Sequence, residues 1–117
     1  MKTLLIATGS EIINEELARA FQTEYIIFTC TRGDETLLLL QEIKPDILII
    51  NLSLTYITGL SVLQLADYTP LAIIALSYFL SDLIVDQAQT YGVDALIQLP
   101  CSVKCIKSHL SQIMTQR

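Results

Sequence analysis

Residues 44–59 read KPDILIINLSLTYITG, and this stretch decides the fold. Lys44-Pro45-Asp46 ends any preceding helix, because proline disfavours the helical conformation of the residue before it. Ile47–Ile50 is an unbroken apolar run, which is typical of a strand buried on both faces of a parallel sheet. Asn51 follows at the carboxyl end of that strand, where ligands and chemistry lie in open α/β sheets. The sequence therefore places an amide at a position suited to a functional side chain.

Apolar strands alternate with helical stretches along the rest of the chain. The other predicted strands are Leu4–Ala7, Tyr25–Thr29, Leu71–Leu76 and Ala95–Gln98. Five helices are predicted to begin after Ser10, near Glu35, at Gly59, after Ser81 and after Ser102, with Ser10, Asp34, Ser81 and Ser102 as capping residues. Five strands alternating with five helices predict an α/β fold, with a parallel sheet covered by helices on both faces.

Composition indicates one domain over residues 1–117, which is a common domain length. The chain is 52% hydrophobic and only 16% charged, so we expect part of its apolar surface to be covered by a partner. The net charge of -5 excludes nucleic acid and anionic membranes as partners of this domain. No apolar run is long enough for a membrane span, and an odd count of three cysteines favours the reducing cytoplasm.

The order of these motifs resembles that of response-regulator receiver domains, the phosphoacceptor modules of bacterial two-component signalling. The matching positions are Lys44, Pro45, Asp46, Leu54, Gly59, Leu60, Leu71–Ser77, Gly92-Val93-Asp94 and Leu99-Pro100. The resemblance covers nearly the whole chain. It implies a three-layer, doubly wound (βα)5 fold of the flavodoxin-like kind, with strand order 2-1-3-4-5.

The resemblance also implies which residues occupy the family's reactive positions. Receivers use two acids and an acceptor aspartate around magnesium, a lysine that pairs with the phosphate, and a Ser/Thr that drives the switch. Thr8 and Gly9 align with the acid pair, Asn51 with the acceptor, Leu99 with the lysine, and Ser77 with the retained hydroxyl. An amide cannot form an acyl phosphate, and magnesium binding depends on the missing carboxylates. We therefore expect no phosphorylation at Asn51, no metal, no cofactor and no enzymatic activity.

We expect the altered site to be neutral and largely apolar, rimmed by Tyr56, Tyr78 and Leu99. Two readings stay open for each retained polar residue. Ser77 is either a relic of the switch or a group that satisfies the backbone at a strand end. Asn51 either binds a ligand or holds the neighbouring loops together by hydrogen bonds.

A second candidate site lies on the last helix, where Cys101, Cys105 and His109 recur every four residues. Thiolate and imidazole are zinc ligands, but residues eight apart are separated by about 12 Å along a helix axis. One ion cannot join all three, so we predict that Cys105 is a small core residue and His109 a surface residue. A two-ligand site shared across a dimer is the alternative.

Receivers signal through the fourth helix, fifth strand and fifth helix, so the resemblance implies an interaction face there. Its predicted members are Leu83, Ile84, Tyr91 and Leu96, the last aligning with the family's aromatic switch residue. Tyr78-Phe79-Leu80 is either an anchor of that interface or a lid over the pocket. This face predicts a homodimer or a complex with a partner protein.

Three functional hypotheses follow. The first is an atypical, phosphorylation-independent receiver that acts as an interaction and dimerisation module in a signalling or transcriptional pathway. Under this hypothesis the domain could also be the N-terminal part of a longer regulator with an effector domain. The second is a sensor that binds a small apolar molecule at the altered pocket. The third, an enzyme of another doubly wound family, is disfavoured because the chain has no Gly-rich phosphate loop, nucleophile elbow or acid–base pair.

Overall fold

The computed structural model describes all residues, 1–117, as one alternating series of strands and helices. The strands are β1 (Thr3–Ala7), β2 (Ile26–Thr29), β3 (Ile47–Asn51), β4 (Ala72–Ser77) and β5 (Ala95–Gln98). The helices are α1 (Glu11–Phe21), α2 (Gly33–Ile43), α3 (Gly59–Leu65), α4 (Asp82–Thr90) and α5 (Val103–Thr115). No helix combines the length and the apolar character that crossing a membrane requires.

All five strands are parallel and lie in the order β2-β1-β3-β4-β5. The predicted fold class and strand order are therefore confirmed. The register pairs Ala7 with Ile50 and Asn51 with Leu76. Because the strands run in the same direction, the segments that follow β1, β3 and β4 meet at one edge of the sheet.

Two apolar cores lie on opposite faces of the sheet, which gives the three predicted layers. The first core joins β1, β3 and β4 to α1 and α5, and the second lies beneath α2 and α3 with Ile84 of α4 packed against it. Ile47–Ile50 is buried along its whole length because its side chains alternate between the two cores. The unbroken apolar pattern of β3 thus reflects burial on both faces.

Helix starts agree with the capping predictions except at α2. The hydroxyl groups of Ser10, Ser81 and Ser102 accept hydrogen bonds from the first turns of their helices. Asp34 does not cap α2, because the helix already begins at Gly33 and Asp34 instead pairs with Arg32. The chain needs glycine at position 33, where an added Cβ would lie 1.7 Å from the carbonyl oxygen of Ile57.

Candidate functional site

A cavity of about 270 Å³ opens at the carboxyl edge of the sheet, between the segments that follow β1, β3, β4 and β5. Its lining residues are Thr8, Gly9, Ser10, Ile13, Asn51, Ser53, Thr55, Leu76, Tyr78 and Leu99. Four of the five positions that align with the receiver's reactive groups, Thr8, Gly9, Asn51 and Leu99, therefore lie around one space. The fifth position, Ser77, is buried at the end of β4.

Asn51 holds two loops together through both ends of its amide. Its Nδ2 donates to the carbonyl oxygen of Thr8 at 3.0 Å, and its Oδ1 accepts from the backbone N–H of Ser53 at 2.9 Å. The first bond ties β3 to the loop after β1, and the second fixes the turn after β3. An amide suits this position because one end must donate and the other must accept. The geometry supports the loop-holding interpretation of Asn51.

Asn14 of α1 is a structural residue of the site that the sequence did not identify. Its side chain is buried, and its Oδ1 accepts from both the backbone N–H and the hydroxyl of Thr8, at 3.0 and 2.7 Å. Its Nδ2 donates to the carbonyl oxygen of Cys30 at 2.8 Å. The available signal was an asparagine within the apolar helix face that contains Ile13 and Leu17.

The hydroxyl of Ser77 satisfies the backbone two residues ahead. Its Oγ donates to the carbonyl oxygen of Phe79 at 2.7 Å and accepts from the N–H of the same residue at 3.2 Å. This arrangement fixes the bend between β4 and the following loop, which matches the interpretation that Ser77 serves the backbone. Tyr78 lies inside that bend and its side chain lines the cavity.

The cavity lining carries no ionised side chain, so the predicted neutrality is met. It is more polar than predicted, because hydroxyl and amide groups share the lining with only four apolar residues. Tyr56 was expected at the rim, and this prediction is wrong. Its ring instead lies under the guanidinium of Arg32, with 4.1 Å between Cζ and the ring centroid.

Arg32, beside Tyr56, belongs to a separate cluster of charged groups at the start of α2. Arg32 bonds to Asp34 and lies 3.5 Å from Glu35, and the hydrogen bond from Arg32 holds the pKa of the Asp34 carboxyl below its usual range. The same pair raises the pKa of the guanidinium. Arg32 is thus engaged by two carboxylates at the surface, and none of the three side chains lines the cavity.

The structure contains no group of three or more His, Cys, Asp or Glu side chains that could hold a metal ion. On α5, the Sγ of Cys105 lies 3.7 Å from the Nδ1 of His109, which also lies 2.9 Å from the carbonyl oxygen of Cys105. Cys101 is half-buried and packs against the first core. All three cysteines are free, and burial raises the pKa of the Cys30 and Cys101 thiols.

The predicted interaction face divides into exposed and packed residues. Leu83 is 66% exposed, whereas Ile84 and Leu96 pack against the second core and Tyr91 is half-buried. The exposed apolar side chains that lie next to Leu83 along the chain are Tyr78, Phe79 and Leu80. We call these four residues, Tyr78, Phe79, Leu80 and Leu83, the aromatic patch.

No protein-family model matches the sequence, and no curated protein matches it. Many solved structures nevertheless share its backbone. The signal receiver domain of a LuxO repressor protein from Vibrio parahaemolyticus superposes with a TM-score of 0.87 at 18% identity, covering 98% of this chain and 91% of that chain. The chemotaxis protein CheY4 of Vibrio cholerae gives 0.82 at 18% identity, with coverage of 97% and 99%.

A response regulator from Burkholderia pseudomallei, solved with a phosphorylated aspartic acid, a calcium ion and citrate, superposes with a TM-score of 0.78. It is 25% identical, and the match covers 99% of this chain and 72% of that one. Likeness at such low identity shows shared architecture. The chain has the flavodoxin-like fold of response-regulator receiver domains.

Proposed function

We propose that this chain is a receiver-type signalling module that works without phosphorylation and acts by associating with a second copy or with a partner protein. In this role the chain catalyses no reaction. The free thiols of its three cysteines suit the reducing cytoplasm, where we propose that it works.

The engagement of Asn51 carries the first half of the proposal. Both ends of its amide are committed to the loops after β1 and β3. A carboxylate in the same place would present an acceptor to the Thr8 carbonyl oxygen and lose that bond. The amide is therefore integrated into the surrounding structure, which is the arrangement expected of a site that no longer receives a phosphoryl group.

The surroundings of Asn51 support the same conclusion. Thr8 directs its hydroxyl into hydrogen bonds with Asn14 and the Ser10 carbonyl, and Gly9 has no side chain. Magnesium prefers carboxylates and phosphate oxygens, and neither Thr8 nor Gly9 supplies a carboxylate. Leu99 provides an apolar surface where a transferred phosphate would need a cation. A phosphoryl group at this site would have no counter-charge.

The aromatic patch supports the second half of the proposal. Phe79 is 76% exposed and Leu83 is 66% exposed, and both lie within a short segment that also exposes Tyr78 and Leu80. Removing apolar surface from water contributes about 25 cal/mol per Å². Aromatic side chains are frequent energetic anchors of interfaces, so this segment is a favourable docking surface.

Two measurements test the proposal. Incubation with acetyl phosphate and magnesium should leave the intact mass unchanged, and beryllofluoride should not alter the amide NMR spectrum. A stoichiometric phosphoryl adduct would contradict phosphorylation independence.

Light scattering should find a dimer that Leu83→Asp converts to a monomer. Leu38→Asp is the matched control, because Leu38 is 53% exposed on α2, remote in sequence from the aromatic patch. A monomer at high concentration, or a dimer that Leu83→Asp leaves intact, would exclude self-association through the aromatic patch.

A second candidate function is a small-molecule sensor, favoured by one observation. The cavity at the altered site is open and uncharged, and it is lined by hydroxyl and amide groups together with apolar side chains. Such a lining can hold a neutral ligand without the charged groups on which a phosphoryl site depends.

A further inference from the structure

A second space lies beside the cavity at the altered site, beneath the start of α5. The second space has a volume of about 190 Å³ and shares four lining residues with the first: Ile13, Leu76, Tyr78 and Leu99. The two adjacent spaces, which lie between α1 and α5, are together called the α1–α5 cleft. Their combined size falls within the ~300–1,000 Å³ of typical small-molecule sites.

The residue types that line the two spaces differ: four of ten are hydrophobic around the first space and eight of eleven around the second. The outer end is lined by the exposed hydroxyl groups of Ser53 and Thr55 and by Asn51, whose amide keeps one N–H and one oxygen lone pair beyond its bonds to Thr8 and Ser53. These groups both donate and accept hydrogen bonds. Their arrangement suits one polar, uncharged head group.

The inner end is apolar and lies against the first core. Its mostly apolar lining includes Leu17, Leu99, Cys101, Val103 and Ile106, beside the hydroxyl of Ser102. Glu16 is the only charged residue in either lining. An anionic ligand would find no cation in the cleft and one carboxylate nearby, on a chain whose net charge is -5.

We propose that the α1–α5 cleft binds a small uncharged amphiphile, with an amide or similar hydrogen-bonding head at Asn51 and an aliphatic tail beneath α5. This proposal deepens the sensor function by naming the ligand class. It places the aliphatic tail in the inner space, outside the altered phosphoacceptor position. It requires no dimer, and of the aromatic patch it involves only Tyr78.

Hexanamide and hexanoate are matched probes, because they share an alkyl chain and differ in head-group charge. With ¹⁵N-labelled protein, hexanamide should shift the backbone amides of the cleft with a dissociation constant on the order of 1 mM, a fragment-like affinity. Hexanoate should bind at least roughly tenfold more weakly. Equal binding of the two probes, shifts confined to other surfaces, or no shifts at millimolar hexanamide would each overturn the proposal.

Cys101 provides an independent reporter on the unmodified chain. It lines the inner space, whereas Cys105 does not. Saturating hexanamide should slow alkylation of Cys101 by N-ethylmaleimide and leave Cys105 unaffected, as measured by peptide mass spectrometry. An unchanged alkylation rate at Cys101 under saturation would place the ligand elsewhere.

Two variants test the location from the protein side. Leu99→Lys adds a cation where both spaces meet and should reverse the preference, so that hexanoate binds more tightly than hexanamide. Val103→Phe should fill the inner space and weaken both probes by roughly tenfold. Leu38→Ala is the control for an exposed leucine remote from the cleft. A folded Val103→Phe variant with unchanged hexanamide affinity would refute the assignment. The probe measurements decide the ligand proposal independently of the phosphorylation and light-scattering assays, because neither of those assays uses the probes.

Discussion

Asn51→Asp restores the acceptor residue of receivers, and we predict that it destabilises this chain. The variant keeps the acceptor for the Ser53 N–H but replaces the donor that holds the Thr8 carbonyl oxygen at 3.0 Å. Losing a hydrogen bond costs about 1 kcal/mol, and a buried carbonyl left without a donor costs up to ~3 kcal/mol. Asn51 is only half-buried, so water relieves part of that penalty. We expect a loss of about 1–2 kcal/mol at neutral pH.

Urea unfolding followed by circular dichroism measures this change, and a fall in Tm of roughly 5 °C should accompany it. Gln98→Glu is the matched control, because it makes the same amide-to-acid change at the end of β5, where the side chain is exposed and its bond to Tyr78 is long at 3.4 Å. That variant should lose less than about 0.5 kcal/mol.

Magnesium distinguishes the proposed site from an active receiver site. Because Thr8 and Gly9 supply no carboxylates, magnesium should not restore the stability of Asn51→Asp, and acetyl phosphate should not modify it. If the variant were as stable as the wild type, the structural role of the Asn51 amide would be wrong. If it were stabilised by magnesium or accepted a phosphoryl group, the remaining site would retain receiver chemistry.

Three further predictions test the packing around the site. Asn14→Ala removes three buried hydrogen bonds and should cost about 3 kcal/mol in urea unfolding, whereas a loss below about 1 kcal/mol would show that water replaces the amide. Gly33→Ala should lower the free energy of unfolding by about 2–3 kcal/mol, because its Cβ would collide with Ile57. Gly92→Ala is the control: its Cβ meets no neighbour, and it should cost about 1 kcal/mol through its φ of 78°. The reverse ranking would contradict the packing at position 33. Burial raises the pKa of the Cys30 thiol, so its alkylation should be slow at neutral pH. The alkylation rate should rise with pH, as the thiolate forms, and with urea, as the thiol is exposed. Rapid labelling of the native chain would contradict the burial of Cys30.

The fold was predictable because its signals are local and strong. Ile47–Ile50 and the buried β4 are apolar without alternation, which parallel sheets require, and serines mark three helix starts. The start of α2 was misplaced because its geometry depends on a distant loop. Gly33 donates its N–H to the carbonyl oxygen of Thr55, a partner that no local rule identifies.

The chemistry of the site was predictable only in part, for a related reason. The residue types that follow each strand predicted an uncharged site, because position in a parallel sheet determines which side chains meet. Whether Tyr56 faces the cavity depends on its φ of 67°, which directs the chain in a way that its residue type does not reveal. Asn14 was missed because a single polar residue within an apolar helix face resembles a surface position until its partners are known.

We predict that Tyr78 couples the two proposed functions. Its ring lines both parts of the α1–α5 cleft, and its backbone lies in the bend that Ser77 fixes immediately before Phe79 of the aromatic patch. If the ligand favours one position of Tyr78, its binding changes the affinity of the aromatic patch for its partner. Docking at the patch then changes the affinity for the ligand by the same factor. Hexanamide should therefore shift the dissociation constant for association through the patch, and association should shift the dissociation constant for hexanamide equally. If both events occur with no mutual effect, Tyr78 is a rigid wall of the cleft and the two surfaces act independently.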